Sequence, residues 1–304
     1  MPRALTMPPI VAVVGATAAG KTGLSLDLAE ALDGEIVNTD AMAVYRGMDI
    51  GTAKVPPGQR RGIPHHLLDL LEVTEQASVA EFQRLARAAI AQIRGRGRTP
   101  ILVGGSALYT RAVLDRFDFP GTDPEVRRRL ELEWEAGEPL FARLAELDPV
   151  SAERIERDNG RRIVRALEVI ELTGKPFSAR LPVPEYADDN SVQIGVDIDR
   201  DTLDERIKER VAQMFADGFV EEVSRLPAEM SRTAATAIGY REVASYLRGE
   251  LSLAEAMLKT AVKTRQFARR QDQWFRKDAR VRWVPWDDPR RLDKAVAAIR
   301  SLRG

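Results

Sequence analysis

The chain of 304 residues contains no cysteine. That excludes disulfides, thiolate zinc sites, iron–sulfur clusters and a cysteine nucleophile together, and it fits a reducing cytoplasm. Histidine is nearly as scarce. The two present are His65 and His66, and adjacent residues on a strand point to opposite faces, so they make a poor metal pair. Aromatic residues are 6% of the chain, and 46 basic residues balance 46 acidic ones. A net charge of zero argues against a protein that coats nucleic acid through a general positive field. No stretch approaches 18 successive apolar residues, so no transmembrane helix is expected. Residues 1–8 carry one arginine and no apolar run of their own. They read as a short tail and not as a signal peptide, with Met7 as a second possible start.

What is present has the pattern of an α/β protein. Ile10–Val14 is an apolar run closed by Gly15 and reads as a buried parallel strand. A helix is expected over Lys21–Leu32, a second strand over Glu35–Asp40, an amphipathic helix over Val79–Arg94 and another buried strand over Pro100–Val103. Strands alternating with helices imply a parallel sheet covered on both faces. From Asp123 to Ala179 only helical periods occur, cut by Pro124, Pro139, Pro149 and Gly174-Lys175-Pro176. Val192, Ile194, Val196 and Ile198 then alternate as a returning strand, followed by helices over Leu203–Phe215 and Leu253–Phe275 and a last strand at Val281–Val284. The expected organisation is a P-loop NTPase-like core, residues 8–115 and 190–304, interrupted by a smaller all-helical insertion at 116–189.

The strongest chemical signal is Gly15-Ala16-Thr17-Ala18-Ala19-Gly20-Lys21-Thr22. It matches G-x-x-x-x-G-K-[ST] between a strand and a helix, the context the motif requires. The glycines let backbone N–H groups turn inward on a phosphate, the helix N-terminus adds partial positive charge, and Lys21 adds a full one. The Thr22 hydroxyl is a candidate Mg²⁺ ligand. Such a loop specifies a diphosphate or triphosphate, not ATP in particular. Asp40 ends the second strand at the edge where open parallel sheets bind ligands. It could be a general base, a metal ligand or the cap of the next segment. Tyr45-Arg46-Gly47-Met48-Asp49-Ile50-Gly51-Thr52-Ala53-Lys54 is too polar and glycine-rich for a core and reads as an ordered functional loop. Gly104-Gly105-Ser106 follows another strand onto the same edge. Arg161 and Arg165, and Arg206 and Arg210, are each one helical turn apart.

Charge is unevenly placed. From Lys259 to Arg282 the basic residues are Lys259, Lys263, Arg265, Arg269, Arg270, Arg276, Lys277, Arg280 and Arg282, against Asp272 and Asp278. Acidic residues predominate from Asp118 to Asp158. A neutral chain with one basic segment can present that segment to a polyanion.

In order along the chain, GATAAGKT, TDAMAVYRGMDIGTAK, ILVGGSALY, RRIVRALEVIELTGKP, TAIGYRE and TRQFARRQDQWFRKD together resemble the tRNA dimethylallyltransferases (tRNA isopentenyltransferases). The resemblance runs from residue 15 to about residue 278. It implies transfer of a dimethylallyl group from dimethylallyl diphosphate to N6 of adenosine 37, in the anticodon stem-loop of tRNA, with Mg²⁺ as cofactor. It also implies a cytoplasmic monomer with no membrane partner. Asp40 falls on the family's catalytic aspartate, Arg210 on an arginine credited with a catalytic role, and Lys21 on the loop lysine. Asp40, Ala41, Met42 and Ala43 would line the adenine pocket, and Ser106 stands where a threonine is usual. Arg127, the segment Arg161-Arg162-Ile163-Val164-Arg165 and the segment Thr236-Ala237-Ile238-Gly239-Tyr240-Arg241 match stretches that contact tRNA. Ala41 replaces the usual serine, Ala43 a frequent glutamine, and Ala18-Ala19 precede Gly20 where alanine-serine is common. A small-molecule kinase using ATP, a non-catalytic nucleotide-binding module, and an enzyme that prenylates free adenine nucleotides share the loop. The basic segment favours a macromolecular substrate over the last of these.

Overall fold

The computed structural model describes residues 7–117, 119–180 and 184–303; most of the expected tail, and Asp118 at the start of the acidic stretch, lie outside them. The chain divides into two compact units, Met1–Leu114 with Asp188–Gly304, and Asp115–Ala187.

The larger unit is built on one sheet. Its strands are β1 (Ile10–Val14), β2 (Gly34–Asn38), β3 (His65–His66), β4 (Thr99–Val103), β5 (Ser191–Asp197) and β6 (Val281–Pro285). All pairs are parallel, in the order β3-β2-β4-β1-β5-β6. Helices α1 (Lys21–Ala31), α2 (Val79–Gly95) and α3 (Ala107–Leu114) belong to its first segment. The smaller unit holds α4 (Pro124–Glu135), α5 (Leu140–Leu147), α6 (Pro149–Ala152) and α7 (Gly160–Thr173). The chain then returns through β5 to α8 (Arg200–Ala216), α9 (Phe219–Arg225), α10 (Tyr240–Leu247), α11 (Leu253–Arg276) and α12 (Arg291–Arg300). This is the α/β class the strand–helix alternation implies.

β1 is buried along its whole length, as a strand covered on both faces must be. The order of the sheet places β4 between β2 and β1, so the loops leaving these three strands emerge side by side. One local expectation is corrected. β2 stops at Asn38, two residues short of Asp40. The Asn38 amide takes the Asp40 N–H at 2.9 Å and donates to the Asp40 carbonyl at 3.1 Å, which turns the chain out of the sheet. The returning strand is found as β5, with Ser191 through Val196 all buried. Gln193 is satisfied there by Asp278 at 3.2 Å, and a Cβ on Gly195 would lie 2.5 Å from the Trp283 ring. The histidine pair forms the short edge strand β3. There His66 shares the buried Glu35 carboxylate with Arg96 (2.6 and 2.7 Å), a structural use of the side chain.

The smaller unit has its own core, with Leu130, Leu140, Leu144, Ile163, Val164 and Leu167 packed together. Gly160 opens α7 under the Trp134 indole, where a Cβ would lie 2.2 Å from the ring. At its centre Glu168, fully buried, accepts from Arg127, from Arg165 at 2.7 Å and from the Asp123 N–H at 3.2 Å. Burial pushes its carboxyl pKa up, but the two guanidinium groups outweigh that and hold it below the ordinary value. Stability from this cluster is therefore present above the unfolded glutamate pKa and is lost as pH falls through the folded one. Glu168→Ala takes the carboxylate from Arg127, while Arg165 keeps the Pro120 and Gly121 carbonyls, and should cost about 3 kcal/mol. Hydrogen exchange should show faster opening of α4 and α7 with the sheet unchanged; unaltered protection would mean that the cluster holds nothing together.

Candidate active site

The phosphate-binding motif occupies the turn from β1 into α1. Gly15 has φ +132° and lies against β5, where a Cβ would sit 3.1 Å from the Val196 carbonyl; Gly20, φ +102°, opens α1. Ala18 also adopts a left-handed φ of 64°, held by the Arg206 Nε–H on its carbonyl at 2.8 Å. Arg206 in turn stacks on Trp286, 4.7 Å from the ring centroid. The Lys21 ammonium folds back onto the carbonyls of Gly15 and Ala16 at 3.0 and 2.7 Å. Burial, reinforced by the nearby Arg210 charge and opposed by Asp40, draws its pKa down to about 7.

Asp40 stands just beyond β2. Its Oδ1 accepts the Met42 N–H at 2.9 Å, so the carboxylate caps its own turn, and it is close enough to support the charge of both Lys21 and Arg210. Two cavities meet at this residue. One of about 120 Å³ is lined by Thr17, Lys21, Thr22, Asp40, Thr52 and Arg210, with Ala43 and His65 at its walls. The other, about 360 Å³, is lined by Ala41, Met42, Val211, Met214, Ile238 and Phe267, and also by Ser106, Thr236, Ala237 and Arg270. Thr17, Asp40, Thr52 and Arg210 belong to both. A charged chamber fitted to an anion thus opens onto an apolar one through a carboxylate. Such a pairing suits a substrate with a phosphate head, an apolar group beside it, and a proton to give up.

Residues 43–278 match the model of a family described as IPP transferase. The chain is 70% identical over 296 residues to the tRNA dimethylallyltransferase of a Nocardioides species, covering 96% of each chain. It is 58% identical over 298 residues to the protein of the same name from Salinispora arenicola, covering 96% of this chain and 86% of that one. The chain belongs to the IPP transferase family. Among solved structures, the full-length tRNA isopentenylpyrophosphate transferase of Bacillus halodurans is 37% identical. It superposes with a TM-score of 0.71 over 97% of this chain and 98% of that one. A eukaryotic dimethylallyltransferase, described as acting on tRNA, gives a TM-score of 0.81 at 25% identity over 95% of this chain and 77% of that one. The family resemblance and the fold expected from the sequence agree with these findings.

The family motifs do not all land in one place. Of Asp40–Ala43, the first three residues line the apolar cavity, whereas Ala43 is buried against the charged one. Thr236, Ala237 and Ile238 line the apolar cavity, Tyr240 is buried and Arg241 is exposed. In the smaller unit, Ile163 and Val164 are core residues, so their side chains pack helices together. Arg127 and Arg165 are tied to Glu168. Arg161 and Arg162 are exposed, so the two arginines one turn apart do not share a role. Among the described residues, three of the six basic side chains expected on α11 form ion pairs. Lys263 meets Glu242, Arg269 meets Asp204 at 3.1 Å, and Arg276 meets Asp197 at 2.5 Å and Asp272 at 2.9 Å. Arg270 instead lines the apolar cavity.

Two residues that sequence reading missed organise the site. Gln271, on α11, bridges the phosphate loop and Gly105; it lies inside a family stretch but has no motif of its own. Glu222, on α9, accepts the N–H groups of Asp49, Ile50 and Gly51 at 2.9, 2.6 and 3.1 Å, and the Tyr240 hydroxyl at 2.6 Å. That one carboxylate folds the polar loop after β2 so that Gly51 and Thr52 reach the cavities. The hydroxyl pKa of Tyr240 is pushed far up, by burial first and then by Glu222. Glu222→Gln replaces an acceptor oxygen with an amide that faces other donors. It should cost about 1–3 kcal/mol of stability and slow turnover. A variant that melts and turns over like the wild type would show that the loop holds itself.

Proposed function

We propose that the chain transfers the dimethylallyl group of dimethylallyl diphosphate to N6 of adenosine 37 in tRNA, releasing diphosphate. The observation that carries this reading is the position of Asp40, shared by the anion chamber and the apolar chamber. In this reading the amides of the Gly15–Thr22 loop, Lys21 and Arg210 hold the diphosphate, and the dimethylallyl chain and the adenine share the larger cavity. The N6 nitrogen bonds to the allylic carbon as the carbon–oxygen bond to diphosphate breaks. Asp40 takes the proton released from N6, since an exocyclic amine is a weak nucleophile until its proton has somewhere to go. Cations and amides aimed at the leaving oxygen stabilise the charge that develops there. An adenine must leave its stack to reach such a cavity, which a single-stranded anticodon loop permits at low cost. Arg161, Arg162 and Arg241, all exposed, are assigned to tRNA phosphates. The working unit is taken to be a monomer acting in the cytoplasm, as the family resemblance implies.

The donor set fits Mg²⁺. The Thr22 hydroxyl and the Asp40 carboxylate border one cavity, and among the described residues no cluster of three or more His, Cys, Asp or Glu forms an all-protein metal cage. A cation that keeps its waters and binds through one or two protein oxygens plus substrate phosphate needs no more than this. When bound, Mg²⁺ would offset the negative charge of the diphosphate.

The direct test is mass analysis of an anticodon stem-loop RNA after incubation with the protein and dimethylallyl diphosphate; an unmodified adenosine refutes the reading. Asp40→Asn should lower turnover at least ~10²-fold, the scale of lost general base catalysis. Full turnover with weakened RNA affinity would make Asp40 a binding residue only. Lys21 gives a second handle. With its pKa near 7 in the free protein, binding a diphosphate must restore the ammonium. Ligand binding at pH above about 7 should therefore take up a proton, and the uptake should fade as pH drops below that value. Calorimetry in buffers of different ionisation heat measures this, and Lys21→Met should abolish it.

A further inference from the structure

For the proposed transfer, the leaving group and the base must sit at a fixed separation, yet they lie on loops from different strands. Lys21 follows β1 and Asp40 follows β2, with β4 between them. Gln271 is where these loops are joined. Its side chain is 4% exposed. Its Oε1 accepts the Thr17 N–H at 2.8 Å, and its Nε2 donates to the Gly105 carbonyl at 2.8 Å. Chemistry fixes the orientation of the amide, because an N–H requires the oxygen and a carbonyl requires the nitrogen. Such an approach is possible only at a glycine, since a Cβ on Gly105 would lie 2.1 Å from Nε2. The next residue carries the connection onward: the Ser106 Oγ accepts the Ala41 N–H at 3.1 Å. Ala41 is flanked by Asp40 and Met42, which are themselves linked through the Asp40 Oδ1 at 2.9 Å.

We propose that Gln271 is a positioning residue for the transfer reaction. Its amide is the central link of a belt, Thr17–Gln271–Gly105–Ser106–Ala41, that holds the phosphate loop and Asp40 at their working distance. The inference rests on the assignment of Lys21 to the diphosphate and Asp40 to the proton. Gln271 itself contributes through the geometry of others. Loss of the belt lets the two loops drift apart while the loop amides and Lys21 still grip the diphosphate. Turnover should then suffer far more than ligand affinity.

Gln271→Met keeps the length of the side chain and removes both hydrogen bonds. With full-length protein, dimethylallyl diphosphate and an anticodon stem-loop, its kcat should fall ~10–100-fold, the cost of sub-ångström to ångström misplacement. The Kd for dimethylallyl diphosphate should move less than about threefold, since the phosphate ligands remain. Gln271→Glu serves if the methionine variant does not fold. It keeps an acceptor for Thr17, turns an oxygen on the Gly105 carbonyl, and should show the same split between kcat and Kd. A cycle with Ser106→Ala separates positioning from general destabilisation. If both residues act through one belt, the double variant should be little slower than the slower single variant, whereas independent effects multiply. The proposal is overturned by a kcat within about twofold of wild type, by equal losses in kcat and affinity, or by multiplicative effects in the cycle. If the wild type itself modifies no RNA, the function and the belt's part in it fall together; product from the wild type with an unaffected Gln271 variant removes the belt alone.

Discussion

No Cβ fits at Gly104 or Gly105, and the site depends on that. Because β4 runs between β2 and β1, the loop that leaves it has neighbours on both sides. A side chain at Gly104 would meet the Thr39 Oγ at 2.4 Å, and one at Gly105 would meet the Gln271 amide. The first would push against the segment that leads to Asp40, and the second would displace the amide that holds the phosphate loop. With both positions bare, a carboxylate, an ammonium and a guanidinium come together around one small chamber. Burial in that chamber, helped by the Arg210 charge and opposed by Asp40, then makes Lys21 hold its proton less tightly than a free lysine.

Much of the scaffold could be read from the chain because the signals were local. A buried strand, a glycine-rich turn and a helix start occupy thirteen consecutive residues from Val11 to Gly23, so motif and context confirm one another. The run of helices from α4 to α7 was visible as a loss of strand period. The misreading of β2 has a physical cause. Asn38 ends β2 with a side-chain hydrogen bond that periodicity cannot register. In β5, by contrast, the strand was legible although Gln193 and Gly195 are inside, one paired and the other overlain by an indole. Glu222 and Gln271 were invisible for a different reason. The loop amides that Glu222 accepts lie 171–173 residues away, and the partners of Gln271 lie 166 and 254 away; no spacing rule reaches that far.

The basic helix shows what composition alone cannot apportion. A run of arginines and lysines looks like a surface for a polyanion. Within it, α11 packs against α8 and α10, whose acidic side chains Asp204 and Glu242 take Arg269 and Lys263. Paired charges on the outside of a protein contribute little to stability, and they remove part of the field that the sequence offers. Arg270 is used differently, beside the apolar cavity.

The hydrogen bond from Thr17 to Gln271 spans 254 positions, and that distance has a meaning in time. A ribosome adding 5–20 residues per second would release Thr17 roughly 13–50 s before Gln271. Trp286, which props the arginine that holds Ala18 in its left-handed conformation, emerges later still. A nascent chain therefore displays the phosphate-binding motif long before it possesses the site. The phosphate loop and Asp40 cannot be fixed at their working distance in an unfinished chain, because the side chain that joins them is made long after both.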